Sequence, residues 1–420
     1  MEETRPVRQT SIAGCIDCGA VVHKGVVTEG ARLLCPRCRS VLENPKKNTI
    51  NRTLALSLSG LMLFIPACFL PVLELNILGL SGNCTMIKGV MQMFGNGFWW
   101  MSFLVLFCSV IVPMAIFGLL IFITLSVKFN YSSAMLKTGL KLYRILHEWT
   151  MLDVYMLGIL IAYIKMRDFG EISVSAGLYC FSASLVLAVF STLAFEPRVV
   201  WNWIGSKQDG KYGIGELTSG SVLCTMCGML CNRHTEDGRL LRKCGRCNAT
   251  LHERKPSSIL RSWALILTGF FLLIPANLCP ITYIVYYGFG EPDTILTGIG
   301  CLIRDGMIPI AILVFIASII VPIVKLIVLS FLLSAIHFKW RMNTYQCTVM
   351  YRFISVIGRW SMLDLFMLSI LVAMVEMGAV SSIVPGVGAT AFASVVVITM
   401  LAAMHFDPRL LWDLEESDNG

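Results

Sequence analysis

The sequence predicts a polytopic α-helical membrane protein built from two parallel repeats of four transmembrane helices, with a small cytoplasmic cysteine module before each repeat. Of the 420 residues, 56% are hydrophobic and 14% are charged, whereas soluble globular domains average about 25% charged residues. Eight apolar stretches are long enough to cross about 30 Å of hydrocarbon. A four-cysteine pattern and the motifs that follow it occur twice.

The eight apolar stretches divide into two groups of four. Several of them exceed the roughly 20 residues that a bilayer needs, which favours tilted helices. The first four lie near 52–72, 98–127, 147–166 and 172–196, and the second four near 261–285, 307–336, 354–376 and 381–406.

Basic residues predict the orientation of these helices. Of the 34 Lys and Arg residues, 29 fall in the two terminal segments, the central linker and the two loops that share their side of the membrane. Cytoplasmic loops carry such an excess, so both termini and the linker are expected in the cytoplasm. The net charge of +8 mostly reflects this bias and favours contact with anionic lipid, and it requires no nucleic-acid partner.

An internal repeat organises the whole chain. The first cysteine module recurs 209 positions later, and the stretch containing Trp149 and Asp153 recurs 211 positions later at Trp360 and Asp364. Four spans return the chain to its starting side, so the repeats are parallel. The predicted domains are a first module (1–48), a first repeat (49–205), a second module (206–256) and a second repeat (257–415).

The cysteine modules predict two structural zinc ions. The spacing Cys-x2-Cys-x16-Cys-x2-Cys suits four thiolates around one tetrahedral ion, and a module of about 35 residues needs metal for folding energy. Disulfides conflict with a reducing cytoplasm, and a redox pair is a second alternative. Cys231 is either an alternative ligand or a bystander. The predicted ligands are Cys15, Cys18, Cys35, Cys38, Cys224, Cys227, Cys244 and Cys247.

Prolines interrupt the first and second helices of each repeat. A proline removes a backbone donor and disturbs helix geometry, and irregular backbone at membrane depth must be buried or face a wet cavity. The pairs Pro66/Pro71 and Pro275/Pro280 therefore predict either an unwound helix end beside a cavity or a simple helix end. Pro113 and Pro322 predict kinks in the second helix.

Polar side chains are concentrated in the second repeat. Ser318 and Lys325 share one helix face, Ser361 and Asp364 share another, and Thr399 lies in the last span. A lone charge at this depth costs about 2.5–3.5 kcal/mol on insertion scales. Asp364 is the expected counter-charge of Lys325.

The first repeat retains only part of this set. It has Asp153, but Ile116 stands in place of Lys325 and Ala188 in place of Thr399. The asymmetry favours a proton- or ion-coupled transport site at Ser318, Lys325, Ser361, Asp364 and Thr399, with Asp153 as a further candidate. A structural salt bridge between two helices and snorkelling of Lys325 towards the cytoplasm are the alternatives.

The combined motifs resemble a known family. Paired cysteine modules, "IPACFLP" and "IPANLCP", "W[ST]MLD" and "F[ED]PRxxW" together are similar to the paraquat-inducible protein A family, with its PqiA and LetA branches. The resemblance implies a bacterial inner-membrane protein with zinc ribbons and a tetraspanin-like transmembrane fold. It also implies phospholipid transport with a periplasmic MCE-domain partner (PqiB- or LetB-like). The polar set matches a proton-relay network of the LetA branch, which makes that branch the expected one.

The functional prediction is therefore a lipid transporter that loads or receives phospholipid at a periplasmic tunnel. No G-x-x-x-x-G-K-[ST] motif occurs in the sequence, so the energy must come from an ion gradient or a separate ATPase. A non-transporting anchor for the MCE partner is the alternative. A membrane redox enzyme is the weakest alternative, because no haem-ligating pair of histidines lies within the spans. His147, His337 and His405 all lie near cytoplasmic ends of spans. We expect no enzymatic activity.

Overall fold

The computed structural model of the chain describes residues 11–24, 30–77, 80–131, 134–166, 171–207, 221–232, 242–286, 289–340, 342–375 and 381–418. Within these ranges, eight helical segments are long and apolar enough to cross a membrane. The prediction of eight spans in two groups of four is confirmed, although the ends of several spans differ.

The first repeat is built on the long helix α1, which packs along α7 and α4. A short helix, α2, follows α1 on the side opposite the cysteine modules, which we call the distal face. The helices of this repeat are α1 (Thr49–Phe69), α2 (Met86–Gly95), α3 (Trp99–Leu106), α4 (Val112–Lys128), α5 (Ala134–His147), α6 (Leu152–Met166), α7 (Ala176–Ala194) and α8 (Pro197–Ser206).

The second repeat has the same order of helices, and α9 packs along α15 as α1 does along α7. A 3₁₀ segment, Gly358–Met362, joins α13 directly to α14. The helices are α9 (Ser258–Leu278), α10 (Ile295–Arg304), α11 (Ile308–Phe315), α12 (Val321–His337), α13 (Thr344–Ile357), α14 (Leu363–Val375), α15 (Val387–His405) and α16 (Arg409–Asp418).

Two small antiparallel sheets lie on the distal face, where the sequence predicted helix ends and loops. Their strand orders are β6-β5-β7 and β11-β10-β12. Residues 172–174 and 381–385, which were predicted as the starts of spans, are strands. The strands are β5 (Leu73–Ile77), β6 (Leu80–Cys84), β7 (Glu171–Val174), β10 (Thr282–Tyr286), β11 (Phe289–Asp293) and β12 (Ser381–Pro385).

The prolines decide where the first helix of each repeat stops. Pro66 and Pro275 lie inside α1 and α9, and each helix ends just before the second proline of its pair. After each helix end the chain passes directly into β5 or β10, and the end of α1 also borders a cavity that Cys68 and Phe69 line. Pro113 and Pro322 occupy the first turns of α4 and α12, each preceded by a π-helical turn, at Phe107–Ile111 and Ile316–Ile320. A π turn widens the helix where proline would otherwise collide with the preceding carbonyl.

Helix α14 is the centre of the contact between the repeats. All its residues from 363 to 374 except Met367 are buried, and it packs against α6 and α2 of the first repeat. Glycines permit this close approach: a Cβ at Gly158 would lie 3.2 Å from the backbone nitrogen of Met367, and one at Gly89 would lie 2.6 Å from the carbonyl oxygen of Ser369. Small residues are the usual means by which membrane helices approach closely.

The cysteine modules consist of short hairpins: β1 (Ser11–Gly14) with β2 (Val21–Lys24), β3 (Leu33–Leu34) with β4 (Val41–Glu43), and β8 (Ser221–Leu223) with β9 (Leu230–Asn232). Their docking is exchanged: each module packs on the other repeat, not on the one that follows it in the chain. The first module packs on Trp412 and Tyr345 of the second repeat, and the second packs on Val200, Trp201 and Ile204 of the first repeat.

Candidate metal centres and the buried carboxylate

Each cysteine module brings four sulfurs into one cluster. The Sγ–Sγ distances are 3.5 Å for Cys15–Cys38 and 3.6 Å for Cys18–Cys35, and the second module repeats both distances. All four sulfurs of a module lie within 4.8 Å of one another. Zinc–sulfur bonds of about 2.3 Å place the ligands of a tetrahedral ion about 3.8 Å apart. Both predicted ligand sets could therefore hold a metal ion, and all eight cysteines are free thiols rather than disulfides.

The backbone after each Cys-x2-Cys pair turns through a left-handed residue. Gly19 and Gly228 have φ of 78° and 70°, and Arg39 and Asn248 have φ of 56° and 57°. The backbone N–H of each donates to the carbonyl oxygen of the first cysteine of its pair, as Gly19 does to Cys15 at 2.9 Å. A fifth thiol, Cys231, lies with its Sγ 3.7 Å from that of Cys244.

Two arginines hold the exchanged modules in place. Arg352 on α13 contacts the first module: it donates to the carbonyl oxygen of Cys38 (3.1 Å), to the Sγ of Cys38 (3.3 Å) and to Asp17 (2.7 Å). Arg144 on α5 donates to the carbonyl oxygens of Thr225 and Met226 in the second module. Each of these two arginines directly follows a tyrosine in the sequence. The equivalent Tyr-Arg pair in each repeat therefore binds the cysteine module that precedes the other repeat.

The closing motif of the second repeat forms a buried ion pair. Asp407 accepts from Nε of Arg409 at 3.0 Å, from its Nη2 at 2.9 Å, and from the backbone N–H of Lys255 at 3.0 Å. Burial alone would raise the pKa of Asp407, but these hydrogen bonds outweigh it and hold the pKa below its usual value. In the first repeat, burial raises the pKa of the equivalent Glu196, against the weaker influence of Arg198.

Asp364 lies in the first turn of α14, directly after the 3₁₀ segment. Both of its carboxylate oxygens are buried, and neither has a hydrogen-bond partner among the residues that the structure describes. The hydroxyls of Ser318 and Ser361 are buried and unpartnered in the same way. The N-terminus of a helix favours a negative charge, which partly offsets the cost of placing a carboxylate here.

The expected ion pair between Lys325 and Asp364 is not formed. Lys325 is 2% exposed, and its Nζ lies against Gly358, where an added Cβ would be 2.7 Å away. The 3₁₀ segment that begins at Gly358 packs against α12, the preceding π turn and α15. It thus joins the elements that carry Lys325, Ser318 and Thr399. The hydroxyl of Thr399 donates to the carbonyl oxygen of Val396 at 3.0 Å.

The 3₁₀ segment has a cause in the sequence. The stretch from Arg144 to Trp149 has six residues, whereas the equivalent stretch from Arg352 to Trp360 has nine. Two of the additional residues lengthen α13 after Arg352, and one lengthens the break between the half-helices, which is 148–151 in the first repeat and 358–362 in the second. The first repeat has neither the additional residues nor the lysine, and its Asp153 is exposed at the start of α6.

A small cavity of about 60 Å³ reaches Asp364 from the distal face. Lys165 at the end of α6 and Asp293 at the end of β11 also line it, and their charged groups lie 3.9 Å apart. Sequence reasoning missed this pair because Lys165 stood at the very end of the predicted span 147–166 and Asp293 stood in a loop. The available signal for Lys165 was its charge at the end of an otherwise apolar span.

With the geometry described, comparison with known proteins shows the family. Residues 50–205 and 259–416 match the family described as Paraquat-inducible protein A. The chain belongs to this family. The two matched ranges coincide with the two transmembrane repeats, so the family pattern covers each repeat separately.

Two relatives illustrate the likeness to the family's members. The chain is 31% identical over 410 residues (96% of this chain, 92% of the relative) to "Lipophilic envelope-spanning tunnel protein A" of Escherichia coli strain K12. It is 27% identical over 407 residues (95% of each chain) to "Intermembrane transport protein PqiA" of the same strain. Both branches are thus represented at similar identity, and the expected LetA-like branch is not distinguished. No solved structure matches the chain.

These findings establish a multi-pass membrane component related to transport proteins. The relatives are named for transport or for a tunnel rather than for a catalysed reaction, which fits the expectation of a non-enzyme. The eight apolar helices and the two four-cysteine clusters are consistent with such a protein.

Proposed function

We propose that the protein is the inner-membrane component of a phospholipid transport system, which loads or receives lipid at a periplasmic MCE-domain tunnel. Its termini and cysteine modules face the cytoplasm in this proposal, as the distribution of basic residues indicates. The names of the relatives, one an intermembrane transport protein and one a tunnel protein, support a transport role. The distal sheets then form the surface nearest the periplasmic partner.

The second part of the proposal is that transport is coupled to protonation of Asp364. The supporting observation is a buried carboxylate without a hydrogen-bond partner in the helix that packs against both repeats. An ionised carboxylate in such surroundings is destabilised, and a proton removes that cost. The charged and neutral forms therefore favour different positions of α14.

The surrounding groups are arranged for such a step. The cavity beside Lys165 and Asp293 offers a route for protons from the distal face. Ser318 and Ser361 carry unpartnered hydroxyls that could bond Asp364 in one of its two positions. The buried amine of Lys325 lies against Gly358 at the start of the 3₁₀ segment. A shift of this segment alters the distance between that amine and the carboxylate of Asp364, so Lys325 responds to the protonation of Asp364 without a direct ion pair.

Two structural zinc ions complete the proposal. The thiolates of Cys15, Cys18, Cys35 and Cys38 would hold one ion, and those of the second cluster would hold the other. Zinc supplies folding energy to modules that are too small to hold a core alone. Because each module docks on the other repeat, its folding also ties the two repeats together.

The test is lipid transfer from nanodiscs that contain the full chain to its purified MCE partner, with a proton gradient imposed in vesicles as a second format. We expect Asp364→Asn to abolish transfer and its dependence on the gradient, while binding of the partner and thermal unfolding stay near wild type. Asp153→Asn is the matched comparison, because that twin carboxylate is exposed, and it should transfer lipid normally.

The outcomes separate transport from anchoring. Full transfer by Asp364→Asn would refute proton coupling through this residue. Absence of transfer by the wild-type chain, with intact partner binding, would instead favour the role of a non-transporting anchor.

A further inference from the structure

A second, larger cavity lies on the distal face of the first repeat. Its volume is about 710 Å³, within the range of about 300–1,000 Å³ that is typical of ligand sites. It is bounded by the end of α1, the start of α2 and the turn after α2. The lining residues are Cys68, Phe69, Thr85, Ile87, Lys88, Met91, Gln92, Gly95 and Asn96.

The polar lining of this cavity suits an anion. Lys88 contributes a positive charge, and none of the lining residues that the structure describes is acidic. Its Nζ donates one hydrogen bond, to the carbonyl oxygen of Asn83 at 3.2 Å, which leaves ammonium protons for a ligand. The amide nitrogen and oxygen of Gln92 are both buried, and neither has a partner among the described residues. Unpartnered buried amides are uncommon in folded proteins and call for an explanation.

The border of the cavity is apolar. Phe69 and Met91 line the cavity and are each more than 60% exposed, at the point where α1 reaches the distal boundary of its span. Aromatic residues concentrate at the depth of lipid headgroups. A charged pocket with an apolar border at that depth fits an amphiphile, with an anionic head beside Lys88 and its chains along α1.

We propose that this cavity binds the phosphate-bearing headgroup of a phospholipid. The inference rests on the proposed function and adds a place for its substrate in the first repeat. Lys88 contacts the phosphate as a point charge, Gln92 bonds the ester or glycerol oxygens, and the border holds the upper acyl carbons.

The second repeat lacks this chemistry at the equivalent positions. With the offset of 209, Thr297 stands in place of Lys88 and Cys301 in place of Gln92. Helix α10, the counterpart of α2, instead lines the cavity of Asp364 through Ile295, Gly298 and Ile299. The two equivalent helices thus have different roles in this proposal. Helix α2 binds the headgroup, and α10 lines the cavity through which protons reach Asp364.

Helix α2 also links the two sites physically. Gly89 lies one residue from Lys88 and meets the backbone of α14 at Ser369, so closely that a Cβ would be 2.6 Å from the carbonyl oxygen. Asp364 begins the same helix. A shift of α14 on protonation therefore moves α2 and changes the headgroup cavity.

Photolabelling tests the site directly. The full chain in nanodiscs of phosphatidylethanolamine and phosphatidylglycerol is labelled with a phosphatidylglycerol that carries a diazirine close to its headgroup, and labelled peptides are identified by mass spectrometry. We expect labels at the end of α1 and on α2. Lys88→Gln and Gln92→Glu should each lower this labelling about tenfold, because a bond to a charged group is lost or a repulsive charge is added, and Lys88→Arg should retain it.

Matched controls separate the site from general effects. Arg304→Gln removes a cation from the same face outside the cavity and should label as wild type. Competition with soluble glycerol phosphate distinguishes a free phosphate site, which it would block at low concentration, from a lipid site, which it would not. Equal labelling in Lys88→Gln, displacement by glycerol phosphate or labels elsewhere would each overturn the proposal. Wild-type lipid transfer is measured in parallel, so that failure of the site is distinguishable from failure of the proposed function.

Discussion

Removal of the Arg352 side chain should loosen the first cysteine module while leaving the second unchanged. This guanidinium joins α13 of the second repeat to the module at the start of the chain, through Asp17 and through two atoms of Cys38. Arg352→Ala deletes all three contacts. Arg144→Ala is the matched change in the first repeat, but Arg144 contacts only carbonyl oxygens of its module.

The magnitude follows from these contacts. The ion pair with Asp17 is 2.7 Å long, but both side chains are about a third exposed, so screening limits it to about 0.5 kcal/mol. The hydrogen bond to the carbonyl oxygen of Cys38 adds about 1.5–3 kcal/mol because its donor is charged. The contact with the sulfur stabilises a thiolate that would bind zinc, and loss of such a partner typically costs about 10–100-fold in metal affinity.

Zinc release to a chromogenic chelator measures the effect. In Arg352→Ala, one of two equivalents should leave at least about tenfold faster, and the second should leave at the wild-type rate. Arg144→Ala should loosen docking of the second module, seen as faster amide exchange in residues 221–232, with a smaller change in zinc release. Wild-type release of both ions from Arg352→Ala, or equal acceleration of both, would refute the reasoning.

Three further predictions concern the buried carboxylates that close the two repeats and the close packing at Gly358. Asp407→Asn should destabilise the protein by about 3–5 kcal/mol at pH 7, because it leaves Arg409 buried without its full partner. Since the pKa of Asp407 is lowered, the stabilisation is present above the usual Asp pKa and lost as pH falls through the folded value. Glu196→Gln should cost little at pH 7, because burial raises the pKa of Glu196 and folding therefore disfavours the charge that the substitution removes; thermal unfolding from pH 4 to 8 checks both. Gly358→Ala should displace the ammonium of Lys325 and lower lipid transfer, and its effect should be non-additive with that of Lys325→Met. Additive losses would place the two residues in independent roles.

The sequence predicted the main features of the fold because they depend on local or repeated signals. Span length and the cysteine spacing each act through a few neighbouring residues, and the repeat doubled both signals. The metal clusters followed from the same spacing, since ligands on paired turns need little information from the rest of the chain.

Features that depend on distant contacts were not predictable in this way. The strands of the distal sheets are four or five residues long, and their apolar residues merge with the adjacent spans. The exchanged docking of the modules depends on surfaces more than 300 residues apart, such as Arg352 and Cys38. Lys325 and Asp364 were paired on charge alone, whereas in the structure the lysine lies against Gly358 of the 3₁₀ segment.

The asymmetry between the repeats explains why a carboxylate is kept at both equivalent positions. Asp153 and Asp364 each begin a half-helix after a break in the span, where the helix dipole favours a negative charge. This local role is common to both and accounts for their retention. The surroundings then differ: α6 leaves Asp153 exposed, whereas α14 is enclosed by both repeats and buries Asp364. A duplication therefore supplied two stable positions for a carboxylate, and burial in only one of them created a group whose charge can alter the packing between the repeats.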